Sequence, residues 1–197
     1  MTWACAPLLE GKKVCLRALR REDRSELLNI FAHEFDYGFT THIPGEATID
    51  DWFEQLELER LAGRSYPYSV LDEVGAVRGT TRFMRMSPVH KRLEIGGTIY
   101  APSVQRTGLN TEIKTLLLHY AFESLCCNVV QLRTDWLNQR SRRAIERLGA
   151  KLDGVLRGHL VMPDGHIRDT ACYSVIASEW PGVRSNLRAL RSRYSGS

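Results

Sequence analysis

Tyr100-Ala-Pro-Ser-Val-Gln105-Arg106-Thr107-Gly108-Leu109-Asn110 is the stretch on which the reading of this chain turns. Before it, apolar residues recur with the period of a strand; after it, with the period of a helix. Between lies a polar turn holding one glycine. A strand-to-helix turn of this kind aims free backbone N–H groups, and the positive end of the helix dipole, at whatever sits in front of it. Phosphates are the usual occupant. Taken alone, Gln105-x-x-Gly108-x-Asn110 also reads as a simple capped turn. It is not a Walker loop, because no Gly-x-x-x-x-Gly-Lys-Ser/Thr occurs in the chain.

Working outward toward the N-terminus, three strand-like runs precede the turn: Tyr66 to Leu71, Val77 to Met86 and Leu93 to Tyr100. Turn formers at Asp72 to Gly75 and at Ser87-Pro88 separate them, so the runs read as an antiparallel meander. Earlier still, Val14 to Leu19 reads as a strand, and Asp23 to Phe35 sets Leu27, Leu28, Phe31 and Phe35 at helical spacing. Thr48-Ile49-Asp50-Asp51 resembles a capping box opening a helix whose Trp52, Phe53, Leu56 and Leu61 share a face. The stretch from Gly38 to Glu46 is the irregular loop between these two helices.

Beyond the turn, Ile113, Leu116, Leu117, Tyr120, Ala121 and Leu125 form one helical face, and Val129 to Asp135 is again strand-like. Asn138 to Leu148 is a further helix, with Asn138 as N-cap and Gly149 just past its end. Strand, helix, strand, helix in this order predicts a local parallel crossover. Val155 to Val161 and Ile167 to Ile176 flank Pro163-Asp164-Gly165 as a hairpin. The predicted fold is α+β: a twisted, mixed, mostly antiparallel sheet of about seven strands flanked by about four helices.

Composition agrees with one globular unit. Of 197 residues, 43% are apolar, 25% charged and 9% aromatic, and no repeat or long linker divides them. We read residues 1–181 as a single domain and 182–197 as a basic C-terminal extension. The net charge of +4 is carried entirely by that extension, through Arg184, Arg188, Arg191 and Arg193; the remainder is balanced. A balanced body argues against a nucleic-acid domain, which shows a basic face with aromatics interleaved. The tail alone keeps that reading open, beside that of a solvated helical extension. No apolar run approaches the ~18 residues of a membrane span. The start, MTWACAPLLEGKK, lacks the features of a secretory signal, so the expected location is cytoplasmic, with no membrane partner. The five cysteines have no framework spacing and are expected to be reduced, mostly buried thiols; no metal site is expected.

The order of elements around the turn carries a family resemblance. Gln105-x-x-Gly108-x-Asn110 after a meander, then a helix, a strand and the run Asn138-Gln-Arg-Ser141-Arg142-Arg143-Ala-Ile145-Glu-Arg-Leu-Gly149, resembles the GNAT (Gcn5-related N-acetyltransferase) superfamily. Leu93-Glu94-Ile95-Gly96, Asp164-Gly165-His-Ile-Arg168-Asp169 and Tyr173-Ser-Val-Ile-Ala-Ser-Glu179-Trp180 resemble its RimJ/RimL-like branch. The resemblance covers roughly residues 10 to 180.

It implies transfer of an acetyl group from acetyl-CoA to a primary amine, of a small molecule or a protein N-terminus, by direct attack in a ternary complex. Backbone amides of Gln105, Arg106, Thr107, Gly108, Leu109 and Asn110 are then expected to hold the CoA pyrophosphate, with Ile99, Tyr100 and Ala101 as the pantetheine edge. Asn110 stands where the family has Gly or Ala; asparagine tolerates left-handed geometry and caps helices. The resemblance makes Glu94 the candidate general base, and Gly96-Gly97 can form a bulge that splays the strand. The tyrosine that many members carry on the fourth helix is replaced by Ile145. The resemblance to the RimJ/RimL-like branch, which places a serine at the position of Ser141, makes that residue the candidate partner of the leaving sulfur, with Tyr173 as runner-up. Asn138 is expected on the pantetheine amide, and Arg143 is a candidate for the adenosine 3′-phosphate.

His42 and Glu46 are candidates for acceptor selection, as are Asp135 and Trp136. Two other readings stay open: a catalytically inactive CoA-sensing or partner-binding module, and a protein docked on nucleic acid by its arginine tail. A homodimer through a sheet edge or the tail is compatible with either.

Overall fold

A computed structural model of the chain describes residue 3, residues 7–33, residue 39 and residues 42–192. Two short strands, β1 (Leu9–Glu10) and β2 (Val14–Ala18), lead into helices α1 (Arg24–Phe31) and α2 (Ile49–Leu61). The meander follows as β3 (Tyr66–Asp72), β4 (Val77–Ser87) and β5 (Arg92–Tyr100). Helix α3 (Leu109–His119) continues through a π-helical turn, Tyr120–Ser124, to β6 (Val129–Asp135). Helix α4 (Gln139–Leu148), the hairpin of β7 (Lys151–Val161) and β8 (Ile167–Ile176), and helix α5 (Trp180–Ser192) complete the chain.

The strands form one sheet in the order β1-β2-β3-β4-β5-β6-β8-β7. Neighbours are antiparallel except β5 and β6, which run parallel because the connection through α3 crosses over. The expected α+β class stands, with eight strands and five α-helices among the described residues rather than about seven and about four. The added strand is β1, two residues long and too short to leave a periodic signal. The added helix is α5, which runs through the expected boundary at residue 181.

Helix α5 is not a solvated extension: Trp180, Val183, Leu187 and Leu190, at helical spacing, are buried against the main core. Two of its three arginines are engaged, Arg184 paired to Glu123 at 2.9 Å and Arg191 to Glu112 at 3.2 Å, while Arg188 is exposed. Arg193 lies outside the described residues.

Two apolar clusters sandwich the sheet. The larger joins inward residues of β2 to β8 with α3, α4 and α5; the smaller gathers Leu27, Ile30, Phe31, Ile49, Phe53 and Ala101 around α1 and α2. Within α2, Leu61 does not share the apolar face and is 68% exposed. Thr48 does not cap α2; its hydroxyl instead accepts the Gly45 N–H at 3.0 Å. Helix α1 ends at Phe31, and Phe35 lies outside the described residues, as do Cys5 and Gly38. Cys127 and Cys172 are buried and Cys15 is half-buried, but Cys126 is exposed; all four are free thiols. Among the described residues no helix is long and apolar enough to cross a membrane.

A buried ion pair ties α1 to the sheet. The Asp23 carboxylate, 3% exposed, accepts two hydrogen bonds from Arg17 at 2.5 and 2.8 Å, one from the Ser69 hydroxyl and one from the Arg20 N–H. Burial acts to raise this carboxyl, but the bonds from Arg17, Ser69 and Arg20 outweigh it and hold it below its ordinary value. A carboxylate lowered in the folded state stabilises the fold above the ordinary carboxylate range, and that contribution fades as pH falls through the lowered value. Asp23→Ala, which strands Arg17, is expected to cost about 3 kcal/mol at neutral pH, measured by urea unfolding, and much less at pH 2.

Candidate active site

The single parallel contact is short. β5 and β6 are paired only at Arg92–Val129, Leu93–Val130 and Glu94–Gln131; beyond these, β5 stays with β4 while β6 stays with β8. An extra residue in β5 opposite Thr80–Arg82 makes a bulge at Gly97, as the Gly96-Gly97 pair predicts. Gly97 has φ +56°, and a Cβ there would lie 2.9 Å from Arg82 Nε, so only glycine fits without displacement. A second bulge, in β4 between Met84 and Ser87, puts Arg85 at φ +50°. The separation opens a cavity of about 540 Å³.

Two helix N-termini border it. On one side, Arg106 (φ +64°) and Gly108 (φ +89°) turn the chain sharply into α3. The N–H groups of Thr107, Gly108, Asn110 and Thr111 meet no acceptor among the described residues. The Thr107 hydroxyl donates to the Val104 carbonyl at 2.7 Å, bracing the turn. Gln105 spans the cleft mouth: its amide donates to the Tyr100 carbonyl at 3.2 Å and accepts from Arg140 of α4 at 2.5 Å. On the other side, Asn138 Oδ1 caps α4 by accepting the Ser141 N–H at 2.9 Å. The Ser141 hydroxyl has no hydrogen bond among the described residues.

Glu94 is buried in the cavity wall, 4% exposed, rather than half-exposed. Its Oε2 takes both Arg85, at 2.5 Å, and Arg133, at 3.2 Å. Its Oε1 has no hydrogen bond among the described residues. Lys114, also buried, donates to Thr98 Oγ1 at 2.8 Å, and that hydroxyl pairs in turn with Thr81 Oγ1 at 2.8 Å. With no carboxylate beside it, burial pushes the Lys114 amine down to about 7.

Of the sequence-derived candidates, Glu94, Ile99, Asn110, Asn138 and Ser141 meet around this cavity, as does His42. Gln105 to Leu109 form the turn at its α3 side, with the Leu109 side chain in the core. The Tyr100 hydroxyl is buried and Ala101 joins the α1–α2 cluster, so it is their backbone that continues the edge of β5. Arg143 is exposed and does not line the cavity. Ile145 does line it, where many relatives of this fold are expected to carry a phenol.

The Tyr173 hydroxyl is held on α4, accepting from Arg142 at 2.9 Å and donating to Glu146 at 2.8 Å. Trp136 stacks under Arg142, and Glu46 pairs with Arg24. Arg85, Arg133, Arg168, Lys114 and His159 line the cavity without having been singled out from sequence. For Lys114 a signal existed: it falls at helical spacing with the apolar Leu117, Leu118 and Ala121. Among the described residues no group of three His, Cys, Asp or Glu is placed to hold a metal ion.

Comparison with known proteins bears on this geometry. A family model described as "Acetyltransferase (GNAT) domain" matches residues 13–151. Over 141 residues, 71% of this chain and 72% of the relative, the sequence is 31% identical to "Putative ribosomal N-acetyltransferase YdaF" of Bacillus subtilis (strain 168). A GCN5-related N-acetyltransferase from Brucella melitensis superposes with a TM-score of 0.84 at 28% identity, covering 93% of this chain and 84% of that one. A spermidine N-acetyltransferase from Vibrio cholerae, in complex with CoA and spermine, has the same fold, with a TM-score of 0.74 at 20% identity, covering 86% and 98%.

The buried lysine makes a testable demand on stability. Between about 7 and the ordinary 10.5 the unfolded chain binds a proton that the folded one does not, so Lys114 makes stability rise with pH across that window. Lys114→Met is expected to be more stable than wild type at pH 7, with the difference vanishing by pH 10.5, in urea unfolding at a series of pH values. A pH-independent difference would contradict it.

Proposed function

Since the chain belongs to the GNAT acetyltransferase family and is an acyltransferase, we propose that acetyl-CoA and a primary amine meet in the cavity at the β5–β6 separation, the amine attacking directly in a ternary complex. The observation that carries this reading is the position of that cavity. It opens where the parallel strands part, between unpaired N–H groups at the start of α3 and the Asn138–Ser141 end of α4, with one buried carboxylate in its wall. The neighbour of the same fold that holds CoA supports the donor assignment.

The residues present fit acetyl-CoA. The unpaired N–H groups of Thr107, Gly108 and Asn110, backed by the α3 dipole, suit a pyrophosphate, whereas those of Gln105 and Leu109 are taken by the Pro102 carbonyl and the Thr107 hydroxyl. The β5 edge at Ile99, Tyr100 and Ala101, left without a partner strand on the β6 side, suits the amides of the pantetheine arm. Asn138 has its Oδ1 committed to Ser141, which leaves its amide N–H₂ as a donor toward that arm. Arg143, exposed on the outer side of α4, is the candidate for the 3′-phosphate.

Acetyl-CoA, when bound, supplies a thioester whose carbonyl carbon the amine attacks; the N–C bond forms, the C–S bond breaks and the thiolate takes up a proton. Glu94 Oε1 receives the proton that the amine gives up, directly or through one water, while Arg85 and Arg133 fix the carboxylate by its other oxygen. The Ser141 hydroxyl, at the N-terminus of α4, stands to hydrogen-bond the departing sulfur. Ile145 offers no such group, which leaves that task to Ser141.

Calorimetric titration with acetyl-CoA is expected to give saturable one-to-one binding. Glu94→Gln is expected to lower kcat by about 10²-fold or more in a thiol-release assay while the acetyl-CoA dissociation constant stays within about twofold. Ser141→Ala is expected to lower kcat about tenfold. Full turnover in Glu94→Gln would remove it as the base, and absence of acetyl-CoA binding would overturn the donor site.

A further inference from the structure

The cavity is unusually rich in positive charge for a site that must admit an amine. Arg82, Arg85, Arg133 and Arg168 line it, with a Lys114 that burial leaves only partly charged at neutral pH, against the carboxylates Glu59 and Glu94. Glu59 is taken by Arg82 at 2.9 Å. Glu94 must serve two guanidinium groups, and both approach the same oxygen.

Arg168 is the most telling member. It is 8% exposed, and among the described residues its Nε meets no hydrogen-bond acceptor; Asp135 Oδ2 lies 3.9 Å away, an ion-pair distance, and has no hydrogen bond of its own among them. Among the described residues its one hydrogen bond is a long one, from Nη1 to the Phe39 carbonyl at 3.4 Å. Arg168 feels the charges of Asp135, Glu94 and Arg85 together, so these groups form one cluster. Burying a guanidinium without a full set of acceptors is costly, and the cost is relieved when an anion arrives.

The phosphates of CoA are not that anion. Their proposed place is the turn at Gln105 to Asn110, whereas Glu94 lies five residues back along β5 from Ile99, ~16 Å at the rise of a strand. The cluster therefore faces the acceptor. A polyamine would bring a second positive charge into a wall that already has an excess, with low-dielectric protein behind it.

We propose that the acceptor is an amine that carries its own carboxylate a few bonds away, with the carboxylate held by Arg168 and Arg133 and the amine presented to Glu94 Oε1. This rests on the acetyl-transfer reading above and narrows its acceptor. Guanidinium forks suit a carboxylate because two parallel N–H···O bonds form at once. A free acidic amino acid and a peptide with an acidic first residue share this chemistry.

The test uses the full chain, acetyl-CoA and a thiol-release assay. Acceptors are free aspartate and glutamate, peptides beginning with Asp or Glu, the same peptides beginning with Asn or Gln, and spermidine. The expected result is a kcat/KM at least about tenfold higher for the acidic acceptors than for their amide counterparts and for spermidine. Whichever acidic source is turned over faster distinguishes free amino acid from peptide.

Arg168→Gln is expected to raise KM for the acidic acceptors about tenfold and to narrow that ratio, with the acetyl-CoA dissociation constant held. If that variant fails to fold, Arg168→Lys, which keeps the charge but loses the two-pronged guanidinium fork, is expected to narrow the ratio in the same direction. Turnover of spermidine or the amide peptides at equal or higher kcat/KM overturns the acceptor class and leaves acetyl transfer standing. Failure to bind acetyl-CoA, with no thiol release from any amine, overturns the acetyl-transfer reading and this inference with it.

Discussion

Everything distinctive about this molecule follows from how early β5 and β6 part. A parallel pair needs a crossover, and here the crossover is α3, which starts at the end of β5 and delivers the chain to the head of β6. Three residue pairs suffice to fix the register; beyond Glu94 the β5 bulge at Gly97 turns the strand away and β6 follows β8 instead. The sheet stays continuous for the core, which packs across it, yet leaves a gap at its centre with backbone groups on one wall. Antiparallel pairing throughout would have closed that gap, and a longer parallel ladder would have filled it.

The gap also collects helix ends. Helix α3 starts on one side and α4 on the other, each with a left-handed or capped turn before it. Gln105 links the two across the mouth, from the Tyr100 carbonyl to Arg140. The first turn of α3 is pinned on its outer side: Glu112 accepts from the Lys12 N–H and from Arg191, tying the β1–β2 turn and α5 to the same helix. Support and site are separate groups of one turn, since Glu112 and the apolar contacts of α3 and α5 carry the helix while the Asn110 and Thr111 N–H groups meet no acceptor among the described residues.

How much of this was legible in the sequence follows the length scale of each interaction. Periodicity placed the long strands and helices, and the Asn138 cap and the Gly97 bulge were readable because asparagine and glycine do those tasks locally. Helix α5 was obscured by composition: its three arginines and Arg193 beyond it read as a solvated tail, although Trp180, Val183, Leu187 and Leu190 recur at helical spacing. Glu94 was found through a short strand motif, but its burial under two arginines was not, because Arg85 and Arg133 come from different strands. Arg168 stood within a recognisable motif, yet its meaning depends on Asp135 and Glu94, which only the sheet order brings near. Long-range charge partners have no periodic signature.

That charge arrangement has a mechanistic consequence. A base must be accessible at one oxygen and restrained elsewhere, and the base proposed above, Glu94, gives Oε2 to Arg85 and Arg133 while its Oε1 has no hydrogen bond among the described residues. The restraint has a cost, because two guanidiniums, an exposed Arg85 and a largely buried Arg133, share one carboxylate, and the buried Arg168 beside them has only Asp135, in ion-pair range but too far for a hydrogen bond. A neutral acceptor would leave this imbalance in place after water is expelled, and a polycation would deepen it. An acceptor with a carboxylate completes the cluster, so the geometry that holds the base and the chemistry that selects the amine are set by the same arginines.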